Sequence, residues 1–144
     1  MPRAEFRFVH RLRVRWEETD MQGVVFFGRY TTYYDVGITE HWRTVGLAYP
    51  QELHQQGVDL YVKKVTLEYH QAARFDDWVD IWVRVARMGK SSLRYLVEIY
   101  GGDELMNSGE VIYVVADPNT RRSAAIPESF RVKVRGYEAV APEE

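Results

Sequence analysis

Glu17, Glu18 and Asp20 place three carboxylates within four positions, and the chain runs on through Met21-Gln22-Gly23-Val24-Val25-Phe26-Phe27-Gly28-Arg29-Tyr30 before a helical pattern sets in. A helix start carries unpaired N–H groups and the positive end of the helix dipole, so it can hold a carbonyl oxygen on which negative charge develops. The donors at this start would be the backbone N–H of Phe27 and, as a second, that of Gly28. A carboxylate brought to the same place could attack an acyl carbon or take a proton from water. Asp20 is the candidate for that role, with Glu17 and Glu18 as competitors. Each assignment has a plainer counterpart: an Asp that caps a turn before Gly23, and a helix cap that meets no ligand.

The element that must carry these donors is the helix itself. Tyr30, Tyr33, Tyr34, Ile38, His41, Trp42 and Val45 recur at the spacing of one helix face, and Gly46 stands just past the last of them, where a helix stops. So aromatic a face needs a large apolar partner, and the rest of the chain offers strands. Phe6, Phe8, His10, Leu12, Val14 and Trp16 alternate with an arginine-rich row, which predicts a half-buried strand. That arginine row suits a solvated face of an outer strand, or a rail for phosphates. From Val58 to Tyr69 the apolar positions are first even and then odd, which predicts a β-bulge near Lys63-Lys64. Strands through Val79–Val85, Leu93–Ile99 and Val111–Val115 follow at hairpin spacing, the last with an apolar run that implies burial on both faces. Pro127 then pre-sets a closing helix over Ser129–Arg135. The fold class is α+β: one antiparallel sheet wrapped around a central helix, in a single domain spanning residues 1–144.

Composition narrows the function. A net charge of −2 gives no electrostatic reason to expect nucleic acid or an acidic membrane as partner. The absence of cysteine removes disulfides, thiol nucleophiles and thiolate metal sites. Histidines 10, 41, 54 and 70 have no close metal-ligand spacing, and no Gly-rich nucleotide loop is present, so no metal or cofactor is expected. With no signal peptide and no membrane-length apolar run, the expected location is the cytoplasm.

The stretch Asp20, Gly23, Val24-Val25-Phe26, Phe27 and Tyr30 resembles the signature of the hotdog-fold acyl-CoA thioesterases, in their 4-hydroxybenzoyl-CoA thioesterase-like branch. Ala73 with Asp77, Gly89-Lys90-Ser91-Ser92 and Ala125-Ile126-Pro127 resemble later landmarks of the same family, in order, from about Phe8 to Arg135. The resemblance implies a hotdog fold and hydrolysis of an acyl-CoA by Asp20, as nucleophile or general base, with Phe27 and Gly28 as oxyanion hole. Coenzyme A would enter as part of the substrate, with no other cofactor. The acyl pocket would be lined by Gly23, Val25, Phe26, Phe27, Tyr30 and Tyr61, and Arg87, Lys90, Ser91 and Arg94, around one hairpin, could hold the nucleotide phosphates at a subunit boundary. A solvated turn accounts for that hairpin as well. Family members form dimers, often pairing into tetramers, and Trp78, Trp82 and Tyr100 are apolar residues a second subunit could cover. Many relatives carry His where this chain has Phe27 and Asn where it has Arg29, and the family's helical Glu is shortened to Asp35; Arg29 is expected to pair with Asp35 or to bind a substrate carboxylate. Two rivals stand beside the hydrolase: a hotdog dehydratase, which needs a His near the helix start, and a non-catalytic protein that binds acyl-CoA or another apolar ligand.

Overall fold

A computed structural model describes residues 2–144. The first strand, β1 (Phe8–Arg13), precedes the long helix α1 (Arg29–Val45) and a single-turn helix α2 (Gln51–His54). Four strands follow, β2 (Asp59–Tyr69), β3 (Trp78–Met88), β4 (Ser92–Gly101) and β5 (Glu104–Ala116), and then α3 (Glu128–Tyr137). All pairings are antiparallel and the sheet order is β1-β3-β4-β5-β2. β3, β4 and β5 are joined as hairpins, but β2 is not hairpin-paired with β3: residues 70–77 carry the chain from one edge of the sheet to β3, beside β1 on the other side.

One face of the sheet packs on α1. Ile81, Val83 and Val85 of β3, Leu93, Tyr95, Val97 and Ile99 of β4, and Val111 and Val115 of β5 form the core with Tyr30, Tyr33, Tyr34, Ile38 and Trp42 of the helix. The helix comes so close to β3 that a Cβ added at Gly37 would lie 2.6 Å from Cγ2 of Ile81. Polar tips are matched inside this core: Trp42 Nε1 donates to Tyr95 Oη at 2.9 Å, and Tyr34 Oη donates to Oδ1 of the buried Asn107.

The bulge falls where the sequence places it, with the β2–β5 register shifting between Val62 and Lys64. Three expectations change. Trp16 is 80% exposed, because the chain leaves the sheet after Arg13 and turns through a short 3₁₀ segment, Trp16–Glu18. The arginine row lies on a solvated face of this outer strand, as the plainer reading has it, with local partners: Arg11 with Asp80, Arg13 with Asp76 and Arg15 with Glu18. β5 begins seven residues before Val111, and its Ile112 and Val114, on the outer face, are half-buried. Tyr100 is covered by the chain's own N-terminal segment, with the Arg3 guanidinium 4.3 Å from its ring centroid, so no second subunit is needed there. The tail, loose in composition, is held: Glu143 exchanges backbone hydrogen bonds with Ala86 and Met88 of β3. No helix among the described residues is long and apolar enough to cross a membrane.

Candidate active site

The segment between β1 and α1 is a tight excursion held by its own backbone. Phe26 N–H donates to Glu18 C=O at 2.9 Å, Asp20 N–H to Val24 C=O at 2.9 Å and Gly23 N–H to Asp20 C=O at 3.0 Å. Gly23, at φ +77°, makes the reversal. The returning arm is fixed from outside where Val25 N–H donates to Ala73 C=O at 2.8 Å.

Asp20 sits in this turn. Its Oδ1 accepts the Gln22 N–H at 2.8 Å, the local capping that Asp commonly performs, while Oδ2 has no partner among the described residues. Glu18 is different in kind. Its side chain is 1% exposed, with Oε1 accepting the Arg15 N–H at 2.8 Å and the Tyr33 hydroxyl at 2.9 Å, and Oε2 accepting the Arg15 guanidinium at 2.8 Å. Burial opposes its ionisation, but the hydrogen bonds from Arg15 and Tyr33 outweigh it and hold the carboxyl below its ordinary range. Burial and the Glu18 carboxylate together push the Tyr33 hydroxyl far above its ordinary value. With both oxygens engaged, Glu18 is no competitor to Asp20 as a nucleophile. Glu17 is exposed, and its carbonyl is 3.5 Å from the Arg29 guanidinium. Arg29 therefore reaches back into the loop instead of pairing with Asp35, which lies six residues on and about a third of a turn away around the helix.

At the start of α1 no side chain among the described residues caps the helix. Arg29 N–H donates to Phe26 C=O at 2.8 Å, but the N–H groups of Phe27 and Gly28 have no acceptor among the described residues. Beside them lies an open cleft of about 280 Å³ lined by Val25, Phe27, Tyr30, Tyr69, His70, Gln71 and Ala72. Tyr69 Oη donates to Phe27 C=O at 3.1 Å, its ring meets that of Tyr30 edge-on, and Ala73 N–H donates to Tyr30 Oη at 3.3 Å. The aromatic walls are thus tied to the same residue that offers a free N–H.

The structure brings Val25, Phe27 and Tyr30 to the cleft, with Gly28 adjoining in the chain. It leaves Asp20, Gly23 and Phe26 outside the lining of the single chain. The Phe26 and Phe27 rings, 4.6 Å apart, are both exposed. Tyr61 is not in the lining either; it lies on the opposite end of β2, facing Arg121. Tyr69, His70, Gln71 and Ala72 were missed from the sequence, although the odd-numbered row that follows the bulge puts Tyr69 on the helix side. His70 Nε2 lies 2.8 Å from Ser108 Oγ. Arg87 and Arg94 are cross-strand partners at the β3–β4 hairpin, with Arg94 paired to Glu110 at 2.6 Å. The Lys90 and Ser91 carbonyls accept the Ile126 and Val115 N–H groups. That hairpin is at the far end of the sheet: Ser92 lies abreast of Val114 and so of Tyr61, eight residues or roughly 26 Å along β2 from Tyr69. Among the described residues no three His, Asp or Glu side chains cluster closely enough to hold a metal ion.

A family model described as the thioesterase-like superfamily matches residues 14–134. The acyl-CoA thioester hydrolase YbgC of Escherichia coli O6:H1 is 34% identical over 120 residues, which is 83% of this chain and 89% of that protein. Among solved structures, the 1,4-dihydroxy-2-naphthoyl-CoA thioesterase Slr0204 from Synechocystis superposes with a TM-score of 0.82 at 15% identity, covering 88% of this chain and 94% of its own. The hypothetical protein SAV2348 from Staphylococcus aureus, solved in complex with CoA, gives 0.84 at 20% identity, over 95% and 87% of the two chains.

Proposed function

The chain belongs to the thioesterase-like superfamily and has its hotdog fold, and from that premise we propose that it hydrolyses an acyl-CoA thioester to a carboxylic acid and free CoA at the start of α1. The observation that carries the reading is the pair of unclaimed N–H groups, Phe27 and Gly28, at an uncapped helix start beside an aromatic cleft. The thioester carbonyl oxygen would accept from them, and each such donor is worth roughly 3–4 kcal/mol in the transition state. The free Oδ2 of Asp20 then acts in one of two ways. It attacks the carbonyl carbon, giving a mixed anhydride and CoA thiolate, with water releasing the acid. Alternatively, it takes a proton from a water that attacks directly. Neither route calls on a metal or redox group.

The reading includes a homodimer formed through β2. That strand presents an unpaired edge of eleven residues with Val62 57%, Val65 39% and Tyr69 52% exposed. Antiparallel pairing of two such edges about a twofold axis sets the Asp59 end of one against the Tyr69 end of the other. It thereby carries the partner's basic hairpin towards this chain's cleft, which is how Arg87, Lys90, Ser91 and Arg94 could serve the CoA phosphates. Further pairing of dimers into a tetramer would cover Trp78, 47% exposed.

One observation favours a second reading, a non-catalytic acyl-CoA binder: Asp20 caps its own turn and lies outside the cleft lining. Thiol release from short, long and aromatic acyl-CoAs decides between them. Asp20→Asn is expected to lower turnover by about 100-fold or more with the fold intact. Absence of turnover by the native protein, with acyl-CoA bound, would leave the binder.

A further inference from the structure

We propose that Glu18 is the positioning residue of this site: its buried carboxylate fixes the Phe27 and Gly28 N–H groups and Asp20 in one arrangement. The inference rests on the reading of the helix start as an oxyanion hole. Of the residues from Arg15 to Arg29 only two, Glu18 and Val25, are buried. The loop that carries both functional parts is therefore pinned at two points, one apolar and one ionic.

Glu18 is tied within two residues of each part. Towards the helix, its C=O holds the Phe26 N–H at 2.9 Å, and Phe26 immediately precedes the two free donors. Its Oε1 also takes the hydroxyl of Tyr33, which belongs to the body of α1, so loop and helix are locked together at 2.9 Å. Towards the turn, Asp20 is two residues on. Arg15, at 2.8 Å, supplies the opposite charge from the strand side, so the pair adds no net charge beside the positive end of α1. A site of this kind loses activity steeply when its groups are displaced by even an ångström. A buried acid whose every oxygen is spent on holding neighbours is what such precision requires.

The test uses Glu18→Gln and Tyr33→Phe in the full chain, with thiol release and amide hydrogen exchange as readouts. Gln cannot accept from Arg15 and Tyr33 with both of its ends, so the loop is released; Tyr33→Phe removes a single hydroxyl and keeps the packing if Glu18→Gln does not fold. We expect kcat to fall by about 10- to 100-fold in Glu18→Gln and about 3- to 10-fold in Tyr33→Phe, with KM within about 3-fold of native. The Phe26 amide should exchange faster in both, while those of Ile81 and Val97 in the sheet stay as in the native protein. Native-like kcat in both variants, or faster exchange spread over the whole sheet, would overturn the proposal and leave Glu18 a stabiliser of the fold. Should the native protein show no turnover, the hydrolase reading fails, and the exchange of Phe26 alone decides whether Glu18 holds the loop.

Discussion

The two ends of α1 are built to opposite purposes. At the C-terminal end the helix is closed by a left-handed residue and by a donor from α3. Gly46, at φ +88°, turns its N–H back on the Arg43 and Trp42 carbonyls, and Lys133 of α3 donates to the Gly46 carbonyl at 3.0 Å. Phe130 and Val134 of α3 are buried, and Glu138 accepts the Val85 N–H at 2.6 Å while standing 3.2 Å from His41 Nε2. At the N-terminal end the same helix has, among the described residues, no side-chain cap, two N–H groups without acceptors and two exposed phenylalanines. The first N–H groups of any helix lack intrahelical acceptors, and paired exposed aromatics are apolar surface that a ligand can cover. The contrast teaches where to look for function: one end stabilises the fold so that the other can be left open.

The comparison breaks most visibly through mutations at the closed end. Phe130→Ala should destabilise the protein by about 3–5 kcal/mol, read by denaturant unfolding, while kcat per folded molecule is unchanged. A large loss of activity in the folded variant would mean the two ends are not separate in function. Next in size is Gly46→Ala, which forces a Cβ into a left-handed conformation and should cost about 1–2 kcal/mol with no effect on turnover. Thermal unfolding measures it.

The smallest effect sharpens the contrast from the open end. The Glu18 carboxyl titrates lower in the folded protein than its ordinary 4.5, so the unfolded chain takes up the proton first. Its contribution is fully present above about pH 4.5 and is lost as pH falls through the lower folded value. The stability gap between native protein and Glu18→Gln should therefore be constant from pH 8 to 6 and shrink below about pH 4.5. A gap that widened on acidification would contradict the ionised network described for Arg15, Glu18 and Tyr33.

Much of this was legible in the residues. The aromatic stripe from Tyr30 to Val45, the stop at Gly46 and the phase change at Lys63-Lys64 are local periodicities, and local periodicity survives folding. So did the grouping of Phe27 and Gly28 at a helix start. What escaped depends on the order of strands. Tyr69 to Ala72 close the cleft because β2 lies on the sheet edge beside the start of α1, which nothing within residues 58–73 encodes. The basic residues near Lys90 were legible as one hairpin cluster, but their place at the far end of the sheet from this chain's own cleft follows from the β4–β5–β2 register, which no local pattern gives. Glu18 read as a competitor of Asp20 for the catalytic role; its burial depends on Tyr33 and Arg15 converging on it from two elements. The exposed Trp16, and Tyr100 beneath Arg3, failed for a related reason: alternation tells which face a side chain takes, and not what else the chain lays over that face.

The most direct test of the open helix end is an amide-shift titration with a ketone analogue of an acyl-CoA, in which a methylene replaces the thioester sulfur so that the molecule cannot be hydrolysed. The carbonyl is retained, so the analogue should move the Phe27 and Gly28 amide resonances most, with Asp20 and Tyr69 next and the Gly46 end still. If the analogue binds and those two amides do not move, while resonances elsewhere do, the carbonyl is held somewhere other than the start of α1, and Phe27 and Gly28 are not its oxyanion hole.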